Sequence, residues 1–404
     1  MECQFVMYLN PNISNMKHYN LFIKTAFLFA VLFCCNKSNA QTYNNWLLRH
    51  GNILNLNTNP PSIDIIDFDN HHSANFSLSD DNGKLILYGG TCMSYNAKKR
   101  TRNYVIRNNK NKTLVSFTTS HVINAIGCKS VAKNGSYYAA IISSVWPTIH
   151  GYTMRLYRFD NNGILKDSLI SQDLNYSCFA FFIPQTNGDI SFLAYDHRNK
   201  IIKNYKLSGN KMFQENISKT ELPKFYYETG MDDTVYYILT TKDGNKIICL
   251  LGDTMFLLDF KINTGEITVI KEYNNTFNSV INSIALSAND KYLIVSEKKK
   301  IIRYKLSDEF EFSNGEIIYE STDNCTDMQL YDGKIYALFG RKKDNPSDQK
   351  IIYFDGIETD NITVGNIDCS NLSNLISLFP KIPRIIETKS APCPEIEKPK
   401  IICE

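Results

Sequence analysis

One motif returns in this chain at nearly even intervals: a short aliphatic and aromatic strand that ends on a turn residue. It reads Leu156-Tyr157-Arg158-Phe159-Asp160, then Asn204-Tyr205-Lys206-Leu207-Ser208, Leu257-Leu258-Asp259-Phe260-Lys261, Arg303-Tyr304-Lys305-Leu306-Ser307 and Ile352-Tyr353-Phe354-Asp355. With Phe159, Leu207, Phe260, Leu306 and Phe354 taken as equivalent, the steps are 48, 53, 46 and 48 residues. Between the copies lie further apolar runs, separated by pairs such as Asn82-Gly83, Asn162-Gly163, Asn187-Gly188, Asp243-Gly244 and Asp332-Gly333. Asn and Gly tolerate the positive φ that tight hairpins demand, so each pair joins two antiparallel strands. From about residue 60 to residue 370 no stretch holds apolar residues at helical spacing for three capped turns, which disfavours α/β classes; only Asn371–Phe379 reads as a short helical turn.

A unit of this length with about four strands is the mark of a β-propeller blade. A four-stranded sheet has two faces to bury, and a ring of such sheets stacks face on face while leaving only short edges. The expectation is therefore an all-β propeller of four-stranded antiparallel blades over residues 41–375. Seven blades fit the length, with six as the alternative. Units begin near residues 60, 122, 175, 222, 277 and 324, and the seventh would be composite, with residues 43–58 pairing against the last strands. Residues 376–404, rich in Pro, Lys, Ile and Glu, read as a C-terminal tail.

The N-terminus reads as an address. Met16, Lys17 and Lys24 precede an apolar run from Thr25 to Cys35 and a polar stretch ending Ser38-Asn39-Ala40-Gln41. The run is about 11 residues, short of the roughly 20 that a membrane-spanning helix needs. Residues 1–40 are thus expected to be a signal peptide cut between Ala40 and Gln41, with residues 1–15 an upstream extension before a better start at Met16. Bulky Phe33 disfavours lipid anchoring through Cys34 or Cys35. The expected location is secreted or at the cell surface, in the periplasm or outside the outer membrane. Of the eight cysteines left after cleavage none forms a C-x-x-C pair, so structural disulfides or buried thiols are expected; Cys393 and Cys403 are close enough to close a loop.

The 404 residues carry 44 Lys+Arg and 41 Asp+Glu, and removing residues 1–40 leaves 41 and 40. No bulk field draws such a chain to nucleic acid. The strongest local charge runs from Lys98 to Lys112, seven basic residues without an acid. Clustered cations raise the local concentration of anions, so Lys98, Lys99, Arg100, Arg102 and Arg107 are the candidate binding residues, set against a solvated inter-strand loop. The histidines lack metal-binding spacing, and Asp80-Asp81-Asn82-Gly83 reads as hairpin chemistry rather than a calcium loop. Nucleophile elbows and phosphate loops are missing from the sequence. No catalytic residue, metal or cofactor is expected.

The order Trp46-Leu47-Leu48, Asn59-Pro60-Pro61, Ser77-Leu78-Ser79-Asp80-Asp81-Asn82-Gly83-Lys84-Leu85-Ile86-Leu87-Tyr88 and Ser94-Tyr95-Asn96 resembles the opening of exported, WD40-like propellers of Bacteroidota associated with gliding motility and type 9 secretion. Asn374-Leu375-Ile376-Ser377-Leu378-Phe379-Pro380 resembles the segment that closes those propellers. The resemblance implies export and a propeller. Together these features give, as the expectation, a non-catalytic recognition scaffold that binds protein or glycan at the cell envelope, as a monomer or within an envelope complex. The alternatives are an exported hydrolase or lyase with channel-lining carboxylates, and a structural component of a secretion or gliding complex.

Overall fold

The computed structural model describes residues 43–386 except 69–74, 97–100, 133–134, 145–151, 175–179, 197–200, 209–210, 220–235, 252–253, 274–276, 278–280, 341–348, 370–371 and 373–378. Among the described residues twenty-seven strands, numbered β1 to β27 in chain order, form seven antiparallel sheets. Six sheets have four strands and the first has three among the described residues: β1 (Asn45–Leu47), β2 (Asn52–Asn55) and β3 (Ser62–Ile65). Every sheet is a meander of consecutive strands, and the seven make a β-propeller ring.

The equivalent residues of the sequence repeat fall on, or directly after, the third strand of five successive blades. These strands are β10 (Tyr152–Phe159), β14 (Ile201–Ser208), β18 (Thr254–Lys261), β22 (Lys300–Lys305) and β26 (Lys350–Asp355). Side chains on a strand alternate between faces, and each face of a blade meets a neighbour. Strand β18 shows the consequence. Phe256, Leu258 and Phe260 enter the core shared with Phe182 and Phe192 of the blade before, whereas Met255 and Leu257 enter the core shared with Ile284 and Val295 of the blade after. Both faces are therefore apolar, and the strand lacks the polar face of a half-buried sheet.

The ring closes differently from the sequence expectation of a composite blade. Residues 45–65 pair only with each other among the described residues, and closure comes from packing: Trp46 meets Tyr336 of the seventh blade at 5.2 Å between ring centroids and Phe379 at 5.0 Å. The first strand of each blade lies innermost. These are β1, β4 (Phe76–Ser79), β8 (His121–Lys129), β12 (Ala180–Pro184), β16 (Tyr236–Thr240), β20 (Ile281–Leu286) and β24 (Cys325–Tyr331); β1 touches β4, β4 touches β8, β8 touches β12, β16 touches β20 and β20 touches β24. Among the described residues no helix is long and apolar enough to cross a membrane.

Candidate functional site

The axis of the ring is not empty. Residues 379–386, Phe-Pro-Lys-Ile-Pro-Arg-Ile-Ile, run inside it as an extended strap. Pro380 and Pro383 have no N–H, so the strap cannot join a ladder and touches the inner strands at single points. It runs parallel to β8 at Lys381 and Ile126, and parallel to the end of β12 at Ile386 and Gln185. Ile386 donates to the Pro184 carbonyl at 2.9 Å and accepts from the Thr186 N–H at 3.0 Å. Its side chain lies against Gly244, whose φ of 70° and lack of Cβ leave room for it; a Cβ there would stand 2.3 Å from Ile386 Cδ1.

The strap's two cations meet two carboxylates. Asp327, on β24, is fully buried. Its carboxylate accepts from Tyr237 Oη at 2.7 Å, from its neighbour's N–H at Met328 at 2.9 Å and from the Phe379 N–H at 2.8 Å. The Ser283 hydroxyl stands 3.4 Å from it, and Lys381 Nζ lies 3.1 and 3.3 Å from the two oxygens and 4.2 Å from the centroid of the Tyr237 ring. Burial and then the negative charge of Asp327 hold the Tyr237 phenol far above its ordinary value, so it stays a donor. Arg384 binds Asp290 and the carbonyls of Thr240 and Ala288, at the first turns of the fifth and sixth blades. Burial raises the Asp290 carboxyl even against the pull of Arg384.

Beside the strap lies a cavity of about 270 Å³. The third to seventh blades wall it with residues such as Phe181, Ile238, Leu286 and Met328, and Ile382 and Pro383 close one side. Its polar lining includes Asn124, Gln329, Asp332, Lys381 and Arg384. Gln329 accepts from the Ile382 N–H at 3.4 Å and Asn124 donates to the Ala180 carbonyl at 3.2 Å, so both are anchored to the walls. Asp332 stands on a turn at φ 48°, exposed at the mouth, and is the carboxylate of this lining.

The sequence-derived candidates lie elsewhere. Arg102 and Arg107 are on β6 (Thr101–Asn108), a strand rather than a loop, about 16 Å apart at strand rise. Arg107 donates to Asn111 Oδ1 at 2.7 Å and stacks on Phe68 at 5.2 Å, which ties it to the ring wall. Lys98, Lys99, Arg100, Ala40, Gln41, Cys34, Cys35, Cys393 and Cys403 lie outside the described residues. Asp80 does hairpin work: Oδ1 accepts from the N–H groups of Asn82 and Lys84 at 2.9 Å each. Cys128, Cys249, Cys325 and Cys369 are buried thiols without a disulfide, and burial pushes Cys325 up to about 12 and Cys369 up to about 11. No group of three or more His, Cys, Asp or Glu suited to a metal occurs among the described residues. Sequence reasoning missed Asp327, Lys381 and Arg384. One signal was present, an acid inside the apolar first strand Cys325-Thr326-Asp327-Met328, which a buried strand tolerates only with a partner.

No family model and no curated protein matches the chain. Solved structures do. A periplasmic gluconolactonase of Pseudomonas aeruginosa is 10% identical, with a TM-score of 0.51 over 84% of this chain and 99% of that one. A protein provisionally named a 6-phosphogluconolactonase, from Bacteroides fragilis, is 12% identical, with a TM-score of 0.47 over 83% of this chain and 97% of its own. At such identity the likeness speaks to the fold. It nevertheless corrects the expectation of a non-catalytic recognition scaffold that is not an enzyme: in the Pseudomonas protein a ring of this kind is a gluconolactonase, so the architecture gives no ground for excluding catalysis.

Proposed function

We propose that the protein is an exported hydrolase that opens small cyclic esters in the axial cavity. The observation that carries this reading is the cavity itself: an apolar chamber of about 270 Å³ in which polar groups from several blades and from the strap converge. Binding sites have this composition, and the volume lies just below the usual range for drug-sized ligands, which suits a compact, sugar-like molecule. The name of the Pseudomonas gluconolactonase supports the substrate class, and the signal-like residues 1–40 support export.

Ester opening needs a base for the attacking water and positive charge where the carbonyl oxygen gains its electron pair. In this cavity Asp332 is the residue to accept the water's proton. Arg384, held by Asp290 at the turn end of the cavity, and Lys381, held deeper by Asp327, bring positive charge to the same lining. Full-length protein is expected to hydrolyse aldonolactones in a pH-stat assay, and Asp332→Asn is expected to lower turnover about a hundredfold or more, the scale of a lost general base. Turnover equal to the spontaneous rate across a lactone panel, by protein with native circular dichroism, would overturn the reading. So would an Asp332→Asn variant of unchanged rate.

A further inference from the structure

We infer that the axial channel is a peptide-binding site for an extended basic segment, and that residues 379–386 are its internal ligand. This goes beyond the hydrolase reading and does not depend on it. The strap adds to no sheet as a regular strand; it is bound as a peptide is bound, by isolated main-chain hydrogen bonds and by side chains seated in preformed sites. Its main chain is bonded at isolated points, at Phe379, Ile382 and Ile386 and at the bridge between Lys381 and Ile126. Its cations go to two separate acids, Lys381 to Asp327 and Arg384 to Asp290, supplied by different blades.

Both acids also bond within the ring, Asp290 to the Lys242 N–H at 2.6 Å and Asp327 to the Tyr237 hydroxyl at 2.7 Å, but their cations come from the strap. Asp327 is wholly buried, and Lys381 is the cation on it. Such a charge is costly to bury uncompensated, so the channel is built to receive a cation at this depth. Gly244 likewise leaves a space that the Ile386 side chain fills. Inner-strand edges offer unpaired N–H and C=O groups that an extended chain can meet, the general mode of strand addition, and the seats along the channel fix the order aromatic, Lys, Arg, Ile. The pattern specifies a ligand class: a proline-containing peptide whose two cations are three residues apart.

The test uses the full chain with a protease site inserted between Leu372 and Phe379, so that cutting turns the strap into a separate peptide. A fluorescent copy of residues 379–386 is then offered to the cut protein and binding is read by anisotropy. Saturable uptake that displaces the resident strap is expected, and a copy with Lys381→Ala and Arg384→Ala should bind about thirtyfold or more weakly, as when one partner of a buried charge pair is lost. If cutting unravels the ring, recovery of native circular dichroism on adding the peptide supports the inference, and persistent unfolding at saturating peptide overturns it. A folded, cut protein that takes up no peptide after its strap has been washed away overturns it too, as does equal binding of the uncharged copy. Lactone turnover is not the readout, so failure here is distinct from failure of the hydrolase reading.

Discussion

The walls between blades and the axis of the ring are held by different physics. Between the fourth and fifth blades the contact is mostly apolar, with Phe182, Phe192, Leu258 and Phe260 nearly inaccessible to solvent. The same kind of layer recurs between the fifth and sixth blades around Leu257, Ile284 and Leu293. At the axis, eight residues are anchored at their ends by the buried side chains of Phe379 and Ile386 and positioned between them by two ion pairs and a few main-chain bonds. The walls are redundant, since each blade repeats its neighbour's solution, whereas the axis has one copy of each contact. Redundant packing holds the ring together, and unrepeated polar contacts give it a place where something specific can happen.

Two substitutions separate these regimes. Phe260→Ala removes a ring from a closed apolar layer and is expected to cost about 4 kcal/mol, seen as a lower urea midpoint, because the rigid layers on either side cannot collapse into the gap. Lys381→Met keeps the stem of the side chain and deletes its charge, leaving Asp327 buried with neutral donors only. A loss of about 3 kcal/mol is expected. The distinguishing result is the rescue: adding Asp327→Asn should recover much of the second loss, since an amide needs no countercharge, and it should recover none of the first. Unchanged stability in Lys381→Met would erase the contrast between wall and axis.

The same contrast explains what could be read from the sequence. The wall is periodic, and periodicity survives in sequence: Phe159, Phe260 and Phe354 end the third strand of their blades, and Leu207 and Leu306 sit at the same place in theirs. Unit starts near 122, 277 and 324 fall within a few residues of β8, β20 and β24 because turn chemistry punctuates each meander. Closure of the ring was less legible. Trp46 packs on Tyr336 and Phe379, a contact between distant parts of the chain that no local pattern encodes. The axial strap was hidden for a further reason. Pro380 and Pro383 break any strand alternation, so a segment that is ordered by its surroundings has the composition of a tail. A charge count likewise carries no geometry: Arg102 and Arg107 are neighbours in it and lie toward opposite ends of one strand.

The smallest expected effect marks the outer limit of the comparison, where charge is neither buried nor unrepeated. Asp160 closes the turn after β10, its Oδ1 accepting from the N–H groups of Asn162 and Ile164 at 2.9 Å each, with Lys166 Nζ 3.1 Å from its other oxygen. Burial alone would raise its carboxyl, but the Ile164 N–H, the Lys166 ammonium and the Asn162 N–H outweigh it and hold the group below its ordinary 3.8. A folded value below the unfolded one means that this aspartate stabilises the fold above about pH 4 and ceases to do so as the pH falls through the folded value. Asp160→Asn retains an oxygen for both N–H groups and removes only the charge. It is expected to cost about 0.5 kcal/mol at pH 7, the scale of an exposed pair, and the gap from the parent protein should shrink as the pH is taken from 5 to about 2 in urea titrations. A gap that widens toward acid would mean that the turn depends on the neutral acid instead. A loss rivalling that of Lys381→Met would place at the rim of the ring the kind of electrostatics that the structure keeps for its axis.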